Sequence, residues 1–135
     1  SDVCSSDLEH QIEALSKIGV AEVVIAINYQ ADKIRQSLAP LESKYNIKIT
    51  YSQETEALGT AGPIKLAEHI LKANNPDGLF FVFNSDVICD FPLEEMLAFH
   101  RSHDSEGTIL LAKVQDPRRF GVVVADEEGK VSSFV

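Results

Sequence analysis

Apolar positions along the chain change period several times, and each change marks an element. Ile12, Leu15 and Ile18, with Ala14, recur at helical spacing and run out at Gly19, a residue that readily ends helices. Residues 22–28, EVVIAIN, form a β-branched run that predicts a buried strand. Ile34, Leu38, Leu41 and Tyr45 then fall at steps of four, three and four, which is one helix face. IKITYS, 47–52, alternates and predicts a strand. After the polar loop SQETEALGTAG, Pro63 suits the first turn of a helix bearing Ile64, Ala67, Ile70 and Leu71. ANNPDG, 73–78, is turn chemistry, and LFFVFN, 79–84, is a second fully apolar strand. SDVICDF leads into a helix with Leu93, Met96, Leu97 and His100 inward. GTILLAKV, 107–114, predicts another strand, and FGVVVAD and KVSSFV flank EEG as a β-hairpin.

The predicted order is αβαβαβαβ followed by the hairpin. Alternation of this kind implies an α/β fold, Rossmann-like, with a mostly parallel sheet and helices on both faces. In open α/β sheets ligands sit beyond the carboxyl ends of the strands, where strand order switches. That rule directs attention to Asn28-Tyr29-Gln30, Gln53 to Gly62, Asn84 to Asp90, and Val114 to Gly121.

Three of these stretches could carry chemistry. In QETEALGTAGP, Gly59 and Gly62 allow close backbone approach to a flat or anionic group, and the segment ends where a helix begins. Glu54 and Glu56 are poor neighbours for phosphate, but a carboxylate is a good acceptor for a base edge bearing N–H donors, such as guanine N1–H and N2–H2. A plain glycine loop opening a helix is the alternative. In FVFNSDVICD, Asp86 directly follows a buried strand, a place from which one carboxylate can hold Mg2+ against a triphosphate. A cap or turn residue is the alternative, and Asp90 suits a helix N-cap. In DPRRFGVVV, Arg118 and Arg119 could meet phosphate or simply be solvated, and Gly121 marks close approach of a sugar or a tight strand entry. His100 and His103 lack the further ligands a metal site needs, Cys89 suits a small core position, and Ser5, Ser6 and Ser85 have no His–Asp arrangement at readable spacing.

Composition narrows the class. A chain of 135 residues is one domain at most and can bury roughly two-thirds of its unfolded surface. No stretch approaches the ~20 apolar residues of a membrane helix, and no secretory signal is visible. Two cysteines, Cys4 and Cys89, are too few for a disulfide framework, which points to a reducing compartment. The net charge of −9 argues against a nucleic-acid partner, whose affinity comes from Lys and Arg contacts, but not against one nucleotide in a local pocket.

Taken together, HQIEAL, GVAEVVIAINYQ, YSQETEALGTAGPI, FFVFNSDVICDFP, AKVQDP and FGVVV resemble the sugar-1-phosphate nucleotidyltransferases, and among them the eukaryotic catalytic type of mannose-1-phosphate guanylyltransferase. The resemblance covers residues 9–135. LGTAGP occurs across several nucleotide specificities, whereas its pairing with NSDVICDFP is much more specific. The resemblance implies synthesis of GDP-mannose and pyrophosphate from GTP and mannose 1-phosphate, with Mg2+ as cofactor. It makes Asp86 the metal ligand and Leu58, Gly59, Thr60, Ala61 and Gly62 the nucleoside loop. It turns Glu54 to the base and makes Gly121 a sugar-pocket residue. It further implies a cytoplasmic protein, without membrane or nucleic acid, that is a homo- or hetero-oligomer at full length. A non-catalytic subunit sensing GDP-mannose, or a transferase of another sugar and nucleotide, are the alternatives.

Ala57 and Phe120 depart mildly from the family pattern. The family's opening loop, GGxGTRLxPLT, its PKP lysine, the continuation FVEKP and the C-terminal β-helix do not occur in these residues. The expectation is therefore an incomplete nucleotidyltransferase domain, 9–135, without turnover by itself. Residues 1–8, SDVCSSDL, match the translation of a sequencing adapter, TCG GAC GTG TGC TCT TCC GAT CT, and are expected to be a non-native tail.

Overall fold

The computed structural model describes residues 5–135. Residues 1–4 of the expected tail, Cys4 among them, lie outside the described residues. The chain divides into two compact units, Ser1–Ala98 and Phe99–Val135.

In the first unit, α1 (Ser5–Lys17) runs through the expected boundary between tail and domain, and Leu8 packs against the core. β1 (Glu22–Ile27) and β2 (Lys48–Gln53) pair in parallel from Glu22↔Lys48 to Ile27↔Gln53. A parallel pair needs a crossover, and α2 (Ala31–Tyr45) supplies it. Asn46 ends α2 in the left-handed conformation, its N–H donating to the Glu42 carbonyl. Pro40 inside α2 removes one helix bond, at a cost of about 3 kcal/mol. The buried leucines on either side of it, Leu38 and Leu41, offset that cost by anchoring the helix to the core. The core itself joins Ile12 and Leu15 of α1, Leu38 and Leu41 of α2, Ile47 and Ile49 beside and in β2, and Leu93. Glu9 ties α1 to α2, accepting from Lys44 Nζ at 2.6 Å and Tyr45 Oη at 2.8 Å. Those donors hold its carboxyl below the ordinary carboxylate value.

The helix expected after Pro63 breaks at buried Ala67 into α3 (Gly62–Leu66) and α4 (Glu68–Lys72). α5 (Leu93–Arg101) follows, and Asp90 does not cap it: the Pro92 carbonyl accepts the Met96 N–H, and Asp90 lies three residues ahead of the helix. Residues 79–84 alternate as a strand should, with Phe81 and Phe83 on the core and Phe80 and Val82 outward, yet they join no ladder. Residues 107–114 also join no ladder, and all of them but Thr108 are exposed. A strand is defined by its neighbour, and among the described residues neither segment has a backbone beside it to pair with. The architecture is α/β, with a parallel pair and helices, ending in an antiparallel hairpin.

The second unit carries that hairpin, β3 (Val123–Ala125) against β4 (Val131–Phe134), with a bulge between Val124 and Ala125. Asp126 closes its turn by accepting the N–H groups of Glu128 and Lys130 on Oδ1. Nearby, the rings of His100 and His103 share the Thr108 hydroxyl at 2.9 Å each. Among the described residues no helix is long and apolar enough to cross a membrane.

Candidate functional site

The carboxyl ends of β1 and β2 lie side by side, and the first candidate residue continues their ladder. The Glu54 N–H donates to the Ile27 carbonyl at 2.8 Å, so Glu54 is fixed at the point where the pair ends. Its side chain is half-buried and its carboxylate has no hydrogen-bond or ion-pair partner among the described residues, which leaves it open to an N–H-bearing ligand edge.

The loop that follows is shaped by its two glycines, each for a different reason. Gly59 sits at φ 72°, the left-handed region where a side chain is strained. Gly62 has an ordinary φ, but a Cβ built on it would overlap the Cβ of Leu58. The loop therefore folds back on itself from 58 to 62 more tightly than any other residue at 62 allows. Thr60 and Ala61, between them, are exposed, and the Ala61 carbonyl accepts the Lys65 N–H as α3 begins. Just beyond, Glu68 accepts from both Lys65 and Lys72, and these two ammonium groups hold its carboxyl down at about 2.

Asp86 lies in a β-turn, 84–87, closed by the Val87 N–H on the Asn84 carbonyl at 3.2 Å. Its carboxylate is exposed and unpaired among the described residues. What sequence reasoning missed is the residue that holds this turn. Gln11 of α1, only 4% exposed, donates through Nε2 to the Asn84 and Val87 carbonyls, both at 2.8 Å. Its neighbour His10 hydrogen-bonds the Cys89 carbonyl at 3.0 Å. A signal was present: Leu8, Gln11, Ile12 and Leu15 form one helical stripe, and Gln11 is the polar residue interrupting it.

Mg2+ accepts one or two protein carboxylates and completes its shell with phosphate oxygens and water. Asp86 fits that demand as a single ligand. Among the described residues no group of three or more His, Cys, Asp or Glu is arranged to hold a metal by itself. Segments 53–62 and 84–90 contain acids but no Lys or Arg, so they offer nothing cationic to a triphosphate. Arg118 is committed elsewhere, paired through Nε and Nη2 with the Asp116 carboxylate at 2.9 and 3.0 Å.

The first unit thus holds the 54–62 loop and the Asp86 turn. Gly121 belongs to the second unit, where it is exposed with nothing within 4 Å of a Cβ position, so no protein contact accounts for the glycine. Two cavities, of about 400 and 450 Å3, flank these segments. The first is walled by His10, Glu13, Cys89 and Asp90, the second by Ala61, Ile64, Leu71 and Phe80. Neither is lined by Glu54, Gly59 or Asp86.

The sequence model of the nucleotidyl transferase family matches residues 4–135. A protein of Dictyostelium discoideum named mannose-1-phosphate guanylyltransferase catalytic subunit beta is 56% identical over 127 residues, 93% of this chain and 34% of that protein. A mannose-1-phosphate guanyltransferase of Gibberella zeae is 56% identical over 115 residues, 85% of this chain and 31% of its own length. A catalytic subunit beta of Xenopus tropicalis is 47% identical over 136 positions, 99% of this chain and 37% of that protein. The chain spans about a third of the length of these relatives.

Proposed function

The chain belongs to the nucleotidyl transferase family, and from that premise we propose that the full-length protein makes GDP-mannose and pyrophosphate from GTP and mannose 1-phosphate. The observation that carries this reading is the 47–56% identity to proteins named for that activity, over the residues that hold the 54–62 loop and the Asp86 turn. Two of those proteins are named catalytic subunits, which favours the catalytic over the sensing role.

In this reaction an oxygen of the sugar phosphate attacks the α-phosphorus of GTP in line. The new O–P bond forms as the bond to the β-phosphate oxygen breaks, and pyrophosphate leaves. Catalysis is chiefly positioning and electrostatics. Glu54 accepts from guanine N1–H and N2–H2, discriminating against bases that present acceptors there. Leu58 to Gly62 approach the nucleoside through backbone that glycine leaves bare. The open side of Gly121 takes the sugar. Asp86 would hold Mg2+, which supplies neutralisation of phosphate charge when bound. Because neither segment has a cation of its own, the remaining phosphate charge falls to groups outside them. This chain alone is expected to lack turnover.

The reading includes no nucleic acid and no membrane, and it takes the full-length protein to be a cytoplasmic homo- or hetero-oligomer. It also takes residues 1–8 to be non-native. Amplification across the junction from source DNA tests that point, and contiguous codons there would refute it. The activity is tested by supplying GTP, mannose 1-phosphate and Mg2+ to the purified full-length protein and to this chain alone. GDP-mannose from the first and none from the second is expected. No product from the full-length protein, or robust turnover by the short chain, contradicts the reading.

A further inference from the structure

We propose that Gln11 is a positioning residue for the metal carboxylate: it holds the Asn84–Val87 turn from inside the core and so fixes where Asp86 stands. The inference rests on reading Asp86 as the Mg2+ ligand.

Phe83 on the core precedes the turn and the His10 bond to the Cys89 carbonyl follows it, but of these groups only Gln11 bonds the turn itself. Residues 79–84 join no ladder, and Asp86, Val87, Ile88 and Cys89 are all exposed. Its internal bond, Val87 N–H to the Asn84 carbonyl, sets its shape but not its place. Gln11 ties the turn itself to α1, its amide reaching both ends at 2.8 Å. Both partners are carbonyls, so only the NH2 end of the amide can face them, one hydrogen to each, and the side-chain orientation follows from the chemistry. Gln11 is itself fixed by its backbone. The next residue, Ile12, is 2% exposed, and Leu15 a turn later is 7% exposed. Packing alone would favour an aliphatic side chain in that stripe. A buried amide is retained there at a desolvation cost that its two bonds offset. Its side-chain bonds go to 84 and 87 and not to the loop at 54–62, which separates its action from nucleotide recognition.

Partners that orient a metal ligand typically change metal affinity by about 10- to 100-fold when removed. The test uses the full-length protein saturated with GTP, with Mn2+ affinity read by water-proton relaxation. The Mg2+ dependence of kcat and the GTP affinity without metal are measured in parallel. Gln11→Leu should weaken Mn2+ by about 10- to 100-fold and raise the half-saturating Mg2+ equally, with metal-free GTP affinity within about twofold of wild type. Gln11→Glu has the same length but presents oxygen to both carbonyls, and it should do the same; it serves if Gln11→Leu fails to fold. In an Asp86→Asn background, Gln11→Leu should cost no further Mn2+ affinity, because the two act through one ligand. If Asp86→Asn weakens Mn2+ while both Gln11 variants bind it like wild type, the positioning role is overturned and the reading of Asp86 stands. A parallel loss of GTP and Mn2+ affinity in the Gln11 variants also overturns it, since that is what general destabilisation produces. If Asp86→Asn leaves Mn2+ affinity unchanged, the reading of Asp86 fails and this inference falls with it.

Discussion

Replacing Gly62 by alanine is the sharpest perturbation of the candidate nucleoside loop. The added Cβ would overlap the Cβ of Leu58. Both atoms are bonded directly to backbone, so no rotamer change relieves the overlap, and the 58–62 backbone itself has to move. Overpacking that forces backbone shifts costs about 1–3 kcal/mol. If the variant loop relaxes and must be returned to its original shape to bind, that cost appears as GTP affinity weakened by about 5- to 150-fold. Gly59→Ala differs in kind, because its Cβ position is empty to 4 Å and only the φ of 72° is at issue. A left-handed alanine costs about 1–2 kcal/mol, or roughly 5- to 30-fold. Calorimetric titration of GTP into the full-length variants measures both. The overlap argument makes a further demand on Leu58. Leu58→Gly should restore much of the affinity lost in Gly62→Ala, whereas Leu58→Ala, which keeps the offending Cβ, should not. Wild-type affinity in Gly62→Ala, or equal rescue by both Leu58 variants, refutes the reasoning.

Glu54→Gln replaces a charged acceptor at the base edge, where hydrogen bonds to a charged group are worth about 1.5–3 kcal/mol, so GTP preference over ATP should fall by about tenfold or more in a binding competition; unchanged preference contradicts the role. Glu68, held at about 2 against an ordinary 4.5, has its favourable pairing with Lys65 and Lys72 fully present above pH 4.5 and loses it as pH falls toward 2. Its carboxyl should titrate by NMR near 2 and return toward 4.5 in Lys65→Met/Lys72→Met, and an unmoved midpoint would contradict the cause assigned. Leu38, 1% exposed in the core, should cost about 2–5 kcal/mol on replacement by alanine, read as a lower denaturation midpoint; a loss under about 1 kcal/mol contradicts its place in the core.

Local pattern carried much of the fold. The β-branched run at 22–28 and the alternation at 47–52 became the parallel pair, and the steps from Ile34 to Tyr45 became α2 despite Pro40. The turn residues EEG between FGVVVAD and KVSSFV identified the hairpin. Segments 79–84 and 107–114 show the limit. Their sequence reads as strand, but ladder membership depends on a partner backbone, which no local pattern can report. The break at Ala67 was also hidden, since 64, 67, 70 and 71 keep helical spacing through it.

The site divides along the same line. Gly59 and Gly62 were visible as residues, and their separate reasons, a left-handed φ and an absent Cβ, required coordinates. Glu54 and Asp86 were singled out by their place after predicted strands. Gln11 was not, because its partners lie 73 and 76 residues away and are backbone carbonyls, which leave no mark in side-chain identity.

A crystal structure of the full-length protein with GTP and Mn2+ tests the central claim most directly. The account predicts guanine N1 and N2 about 2.7–3.2 Å from the Glu54 carboxylate, the 58–62 backbone against the nucleoside, and a Mn2+ anomalous peak on an Asp86 oxygen. A base turned away from Glu54, with metal bound where Asp86 does not reach it, would contradict it.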